Sequence, residues 1–315
     1  MFINVSELFG NQNIYVIPTF QRPYSWDESQ WKDLKSDIAI AASKTSPYHY
    51  FAPIHVIPIK SAGDKYWTDY TDQDNDDIKN LSVSEFRDSY GKALNVFLVV
   101  DGQQRITTLY SLMFNSTPKD PAHFINLPSN YQIPCVILNP KNDHQRLRHH
   151  LGLNTYSVSS LSSPSSRSQE RLDNLFGFLG GSTSVFPVGS PGYRFLTSAD
   201  CQLLRVILHP GAKLASFMTL NDRGKDLTIL EKSKSLLMEI DENYPKSIGS
   251  DPKPINVTYG EAYVSIEAKQ SYLNDDEFIR QIAMKLWEYT QDSIHEKTAV
   301  TIYDTLFKRI ATGEL

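Results

Sequence analysis

An α+β fold, with a small mixed sheet near the N-terminus and a mainly helical half after it, is predicted by three observations in this 315-residue chain. The run Val96-Phe97-Leu98-Val99-Val100 is short, bounded and β-branched, as a buried strand should be. It turns through Asp101-Gly102 into Ile106–Phe114, where apolar residues recur at helical spacing. Strand-like stretches at 14–20 (IYVIPTF) and 131–138 (YQIPCVIL) precede a remainder that reads mainly helical beyond about residue 193.

Along the chain, the strand at 14–20 should end near Pro18. Ser25-Trp26-Asp27-Glu28 has the form of a capping box, followed by Trp31, Leu34 and Ile38 on one helical face. Residues 50–59 are apolar but carry Pro53 and Pro58, which predicts an edge strand because proline donates no ladder hydrogen bond. Residues 61–94 are polar and read as an insertion. Its Asp72, Asp74, Asp76 and Asp77 fail as a calcium loop, since Asp77 stands where glycine is needed and Val83 where glutamate is. A solvated acidic loop is expected there instead. From 155 to 193 the chain is rich in Ser, Gly and Pro, with one helical island near Arg171–Leu179. Helices are expected over 274–289, capped by Asn274-Asp275-Asp276, and again at 303–310. The division expected is a core over 1–150 and a connection with a helical subdomain over 151–315.

Composition narrows the function. Apolar residues make up 40% and charged residues 21%, and no apolar stretch reaches bilayer length. No signal sequence is evident at Met1-Phe2-Ile3-Asn4-Val5, and the two cysteines suit a reducing cytoplasm. A net charge of −5 argues against a chain coated for non-specific nucleic-acid binding. Lys141–His150 (KNDHQRLRHH) could still form a local basic face, with a plain solvated helix face as the first reading. G-x-x-x-x-G-K-[ST], H-E-x-x-H, G-x-S-x-G and paired C-x-x-C are all absent.

Three constellations carry chemistry. Asp101-Gly102-Gln103-Gln104-Arg105 places a carboxylate, two amides and a guanidinium where a strand turns into a helix, and a helix N-terminus attracts anions. A lone Asp-Gly would be an ordinary turn; the two amides and the arginine behind it point to an anion site. Ile17–Trp26 adds Gln21, Arg22, Tyr24 and Trp26, with aromatic packing as the default reading. Phe217–Leu227 adds Asn221 and Arg223 in a turn before a helix capped by Thr228 and Glu231. Arg22, Arg105 and Arg223 would suit a triphosphate if the fold gathers them.

Taken together, IPTFQRPYSW, VVDGQQRITTL and FMTLNDRGKDL resemble the DGQQR-motif N-terminal domain of modification-dependent restriction and antiphage proteins of the GmrSD and SspE type. The resemblance anchors residues 14–240 and implies a ParB/sulfiredoxin-like core. It also implies a cytoplasmic sensor that hydrolyses a nucleoside triphosphate, GTP or another, with Mg²⁺, and thereby regulates cleavage of modified DNA. The resemblance implies that the modification sensed is glucosylated cytosine or a phosphorothioate linkage, both known in the family. The resemblance makes Asp101, Gln103, Gln104 and Arg105 the catalytic motif, with Asp101 positioning metal or water and Arg105 stabilising phosphoryl charge. Gln21, Arg22, Gly102, Thr107, Asn221 and Arg223 complete the nucleotide-binding set. Tyr24, Trp26, Arg146 and Arg148 are the DNA-binding candidates. The chain departs from the family pattern at Phe51-Ala52-Pro53, where Phe-x-Gly is usual. It also ends at Leu315 without an HNH metal finger, so it reads either as a stand-alone sensor or, the favoured expectation, as a chain cut before its nuclease domain; a nuclease domain or subunit is the expected partner, and the oligomeric state is open. A ParB-like nucleotide-gated DNA-binding module without turnover is the alternative; a nuclease within this chain ranks last.

Overall fold

The computed structural model describes residues 1–10, 12–19, 21–43, 49–64, 67, 75–81, 86–115, 124–128, 131–139, 141–153, 162–180 and 186–210. The chain divides into two units, Met1–Lys213 and Leu214–Leu315, and every described residue belongs to the first. Asn221, Arg223 and the helices expected at 274–289 and 303–310 lie outside the described residues.

The first unit is α+β, as its sequence predicts. Strand β1 (Phe2–Asn4) enters helix α1 (Val5–Phe9) through a capping box in which Asn4 Oδ1 accepts from the Glu7 N–H at 2.7 Å. There follow β2 (Asn13–Val16), α2 (Glu28–Ser43), β3 (His49–Ile59), α3 (Asp76–Leu81), β4 (Asn95–Asp101) and α4 (Gln103–Asn115). Next come β5 (Phe124–Leu127), β6 (Tyr131–Pro134), β7 (Val136–Ile137), α5 (Lys141–His150), α6 (Arg167–Gly180), α7 (Pro191–Leu196) and β8 (Cys201–Ile207). Among the described residues, no helix is long and apolar enough to cross a membrane.

Six strands form one mixed sheet in the order β1-β8-β3-β4-β2-β7, and β5 and β6 form a separate hairpin. Strand β4 pairs antiparallel with β3 and parallel with β2, so Val96–Val100 are buried and the run is apolar throughout. Core aromatics Phe9, Tyr110 and Phe114 meet edge to face, with Tyr110 and Phe114 centroids 4.6 Å apart.

Several expectations are corrected. Strand β3 is interior, between β8 and β4, not an edge. Its prolines are tolerated because Pro53 stands at a bulge and Pro58 lies past the last β8 partner, Ile207. The expected strand at 131–138 is two strands serving two sheets, with Cys135 at the break. The α2 cap sits two residues later than expected: Asp27 Oδ1 accepts from the Ser29 N–H at 3.0 Å, while Gln30 Oε1 accepts from the Asp27 N–H at 2.8 Å. Strands β1 and β8 and helices α1 and α7 go beyond what the sequence predicts; CQLLRVI lacks a clean alternation because both of its faces are only partly buried.

Residues 61–94 are no mere polar insertion. Trp67 is buried against Phe86 with centroids 5.2 Å apart, and Ile78 and Leu81 of α3 are buried too. Nor is Asp77 solvated: it is fully buried and receives His144 Nε2, Tyr131 OH and Arg148 Nη1, the last at 2.8 Å. His144 Nδ1 accepts the Leu138 N–H at 3.1 Å, so Nε2 carries the ring proton to Asp77. Burial alone would raise the Asp77 carboxyl pKa, but His144, Arg148 and Tyr131 outweigh it and hold it below the ordinary 3.8.

Helix α5 likewise presents no basic face of its central arginines. Arg146 and His150 both bind Asp173 of α6, His150 at 2.7 Å, and the His150 ring stacks on Phe176 at 4.5 Å. Asp143, 1% exposed between α5 and α6, has the opposite character to Asp77: burial pushes its pKa up to about 6.

Two substitutions follow with opposite signs. Asp77→Asn withdraws the charge facing buried Arg148 and should destabilise the unit by about 3–5 kcal/mol at neutral pH. Because Asp77 titrates lower folded than unfolded, its contribution is complete above pH 3.8 and lost as pH falls through the folded value. Urea-unfolding midpoints of the variant should therefore fall most at neutral pH and converge on the wild type in acid. Asp143 titrates higher folded than unfolded, so its charge weakens the fold as pH rises from 3.8 towards about 6. Asp143→Asn should raise the same midpoint at pH 7 and lose that advantage below pH 4.

Candidate functional site

The DGQQR motif begins where two bulges adjoin. Between β3 and β4, His55 pairs with Asp101 but Val56 pairs with Val99, so β4 carries one extra residue at Val100. Between β3 and β8, Phe51 pairs with Leu203 and Ile54 with Arg205, so β3 carries one extra residue at Ala52-Pro53. The second bulge turns the Pro53 carbonyl toward Arg105, whose Nη1 donates to it at 2.8 Å. The Ala52-Pro53 bulge thus serves as an arginine rest.

Gly102 follows directly. Its φ is +90°, and a Cβ there would stand 2.7 Å from Ile54 Cγ2 and 3.2 Å from Ile54 Cα. Both the left-handed backbone and the contact with β3 require glycine. Ile106 N–H then donates to Gly102 C=O at 3.0 Å, opening the α4 ladder, so the first-turn N–H groups of α4 precede it. The positive end of the helix dipole lies at this turn.

The three glutamines act on the backbone of the neighbouring loop and strand. Gln21, 7% exposed, donates Nε2 to Val100 O and, at 3.2 Å, to Val99 O. Those carbonyls lie beyond the last β2 partner of β4, Leu98, and beside the bulge, so the side chain replaces missing ladder partners. Gln103 donates to Arg22 O. Gln104 Oε1 accepts the Ser25 N–H at 2.8 Å and its Nε2 donates to Pro23 O at 3.2 Å. The motif and the FQRPY segment are thereby locked together, which places the backbone of Arg22 beside the first turn of α4.

Asp101 ends β4 with a third of its side chain exposed, and His55 Nδ1 lies 3.3 Å from its Oδ2. Partial burial raises the Asp101 pKa, but the His55 ring, Arg105 and the Gly102 N–H outweigh it and hold the carboxyl below its ordinary value. An ionised carboxylate, an arginine and a helix N-terminus are thus collected at one strand end. Among the described residues no group of three or more His, Cys, Asp or Glu could hold a metal. The donor set fits Mg²⁺, which binds through one or two carboxylates and takes its remaining ligands from water and substrate phosphates.

The other candidates divide sharply. Arg22 and Trp26 are half-buried. Thr107 is 1% exposed within α4. Tyr24 is core: its OH meets Thr108 Oγ1 at 2.7 Å and accepts from Trp31 Nε1 at 2.8 Å. Arg146 and Arg148 are 3% and 8% exposed and committed to Asp173 and Asp77. His55 belongs to the site but carries no sequence signal, and Pro53 reads in sequence only as a strand interruption, because strand register alone brings both to the motif.

Gln104→Leu should break both bonds to the loop, destabilising it by about 1–3 kcal/mol. Hydrogen exchange should show a faster Ser25 amide with α4 protection beyond Thr108 unchanged. Unaltered exchange at Ser25 would contradict the latch.

No curated protein matches the chain. A family model described as the GmrSD restriction endonuclease N-terminal domain matches residues 5–238, which takes in all three motifs together with β2 to β8. On that match, three-quarters of its length, this chain belongs to the GmrSD restriction endonuclease N-terminal domain family.

Proposed function

We propose that this chain is the nucleotide-hydrolysing sensor of a restriction or antiphage system, working in the cytoplasm with a nuclease domain or subunit. It would couple hydrolysis of GTP or another nucleoside triphosphate to recognition of modified DNA, glucosylated or phosphorothioate. The observation that carries this reading is the placement of Asp101 at the mouth of the α4 N-terminus, with the Arg105 guanidinium beside the same turn. Phosphoryl transfer needs little covalent help from protein; it needs positioned positive charge and a metal. Arg105 and the α4 dipole supply the first, and Asp101 would hold Mg²⁺ or orient water. Mg²⁺ would offset charge on the phosphates.

Gln103 and Gln104 enter this reading through the loop they hold, which keeps Arg22 at the site as a second phosphate contact. Gly102 and Thr107 shape the first turn, Gln21 supports the strand end, and Asn221 and Arg223 are kept as phosphate contacts. For DNA, the half-buried Trp26 is a stacking candidate, whereas Tyr24, Arg146 and Arg148 would need rearrangement to reach it.

A nucleotide-gated DNA-binding module without turnover is the second reading. It is favoured by the single carboxylate at the site, since Asp101 has no second acid in a ligand cluster among the described residues.

Phosphate release from each nucleoside triphosphate with Mg²⁺, with and without modified DNA, separates the two. Arg105→Met and Asp101→Asn should each lower kcat by about 10²–10³. Wild-type binding of nucleotide without phosphate release would favour the module, and full turnover by Asp101→Asn would sink the catalytic assignment.

A further inference from the structure

Asp101 has a neighbour from outside its own motif. His55 is its Cα partner on β3, with Nδ1 3.3 Å from Asp101 Oδ2 and the side chain 12% exposed. Nδ1 is buried and has no aligned hydrogen-bond partner. A buried ring nitrogen is costly unless paired, and a carboxylate oxygen in reach is the natural acceptor.

The bulge at Val100 creates this meeting. Continued without it, the ladder register of Val56 with Val99 would set His55 against Val100 and Ile54 against Asp101. Directly opposed residues share a sheet face, so the extra residue brings imidazole and carboxylate to the same side. Between the apolar residues Ile54 and Val56, β3 thus turns an imidazole to the motif carboxylate.

We propose that His55 is a positioning residue for Asp101: its Nδ1–H holds one carboxylate oxygen and leaves the other for a divalent cation or water. This rests on the reading of Asp101 as the working carboxylate. Partners that orient a ligating carboxylate commonly set metal affinity by 10- to 100-fold, which is about the effect expected here.

The test is Mn²⁺ binding to the full chain by electron paramagnetic resonance, with a non-hydrolysable GTP analogue present. Wild type should bind, and Asp101→Ala should not. His55→Leu should weaken Mn²⁺ binding about 10- to 100-fold. His55→Asn, whose amide nitrogen occupies the Nδ1 position, should restore it to within a few-fold, whereas His55→Gln, which mimics Nε2, should not. Leu as good as His, or Asn as poor as Leu with an unchanged melting temperature, overturns the proposal. Ring ¹⁵N shifts of His55 judge the pair apart from metal binding: a protonated Nδ1 in wild type, lost in Asp101→Ala, supports it, and an unprotonated Nδ1 overturns it. If Asp101→Ala binds Mn²⁺ as wild type does while that Nδ1 is protonated, the pair stands and the reading of Asp101 as the cation's carboxylate fails.

Discussion

Two extra residues, one in each of the adjoining strands β3 and β4, set everything at the end of the sheet. A regular ladder would use every carbonyl for strand pairing and leave nothing to aim. The bulge at Pro53 frees a carbonyl that Arg105 takes, and the bulge at Val100 swings Asp101 opposite His55. The two distortions also bring β3 so close to the turn that residue 102 has no room for a side chain. Bulges next to functional sites re-aim side chains in this way.

The amides then divide their labour differently from a phosphate cradle. Gln21, Gln103 and Gln104 reach the backbone of Arg22, Pro23 and Ser25 or of β4, so their first task is to keep two separate chain segments in register. The bonds that hold this loop are neutral amide bonds, so the charge it brings to the site is that of Arg22 alone. Such a site is preorganised by hydrogen bonds whose loss is felt as mobility of the loop before it is felt as unfolding.

Charge burial elsewhere has a structural purpose. Asp77 joins α3, β6 and α5 through Tyr131, His144 and Arg148, while Asp173 joins α6 to α5 through Arg146 and His150. Helix α5 looks like a cationic surface when written as a string of letters. Its two arginines are in fact consumed by acids that lie 71 and 27 residues away. Nothing in local periodicity reveals that pairing, because the partners come from segments of opposite character with no shared pattern.

By itself the sequence determined the strand β4, the helix α4 and the turn between them: an unbroken β-branched run, a glycine at the turn and a helical repeat are local signals. It also determined the family, because three separated motifs in order are a combination that chance spacing rarely produces. Only the tertiary structure decided that β3 is interior, that β8 joins the sheet, and that residues 61–94 feed the core. It alone decided that Tyr24, Arg146 and Arg148 face inward and that His55 stands beside Asp101. The reason is physical. A residue's period records which face is buried, whereas strand neighbours, bulges and ion-pair partners depend on segments far apart in the chain, whose register is settled only when they pack.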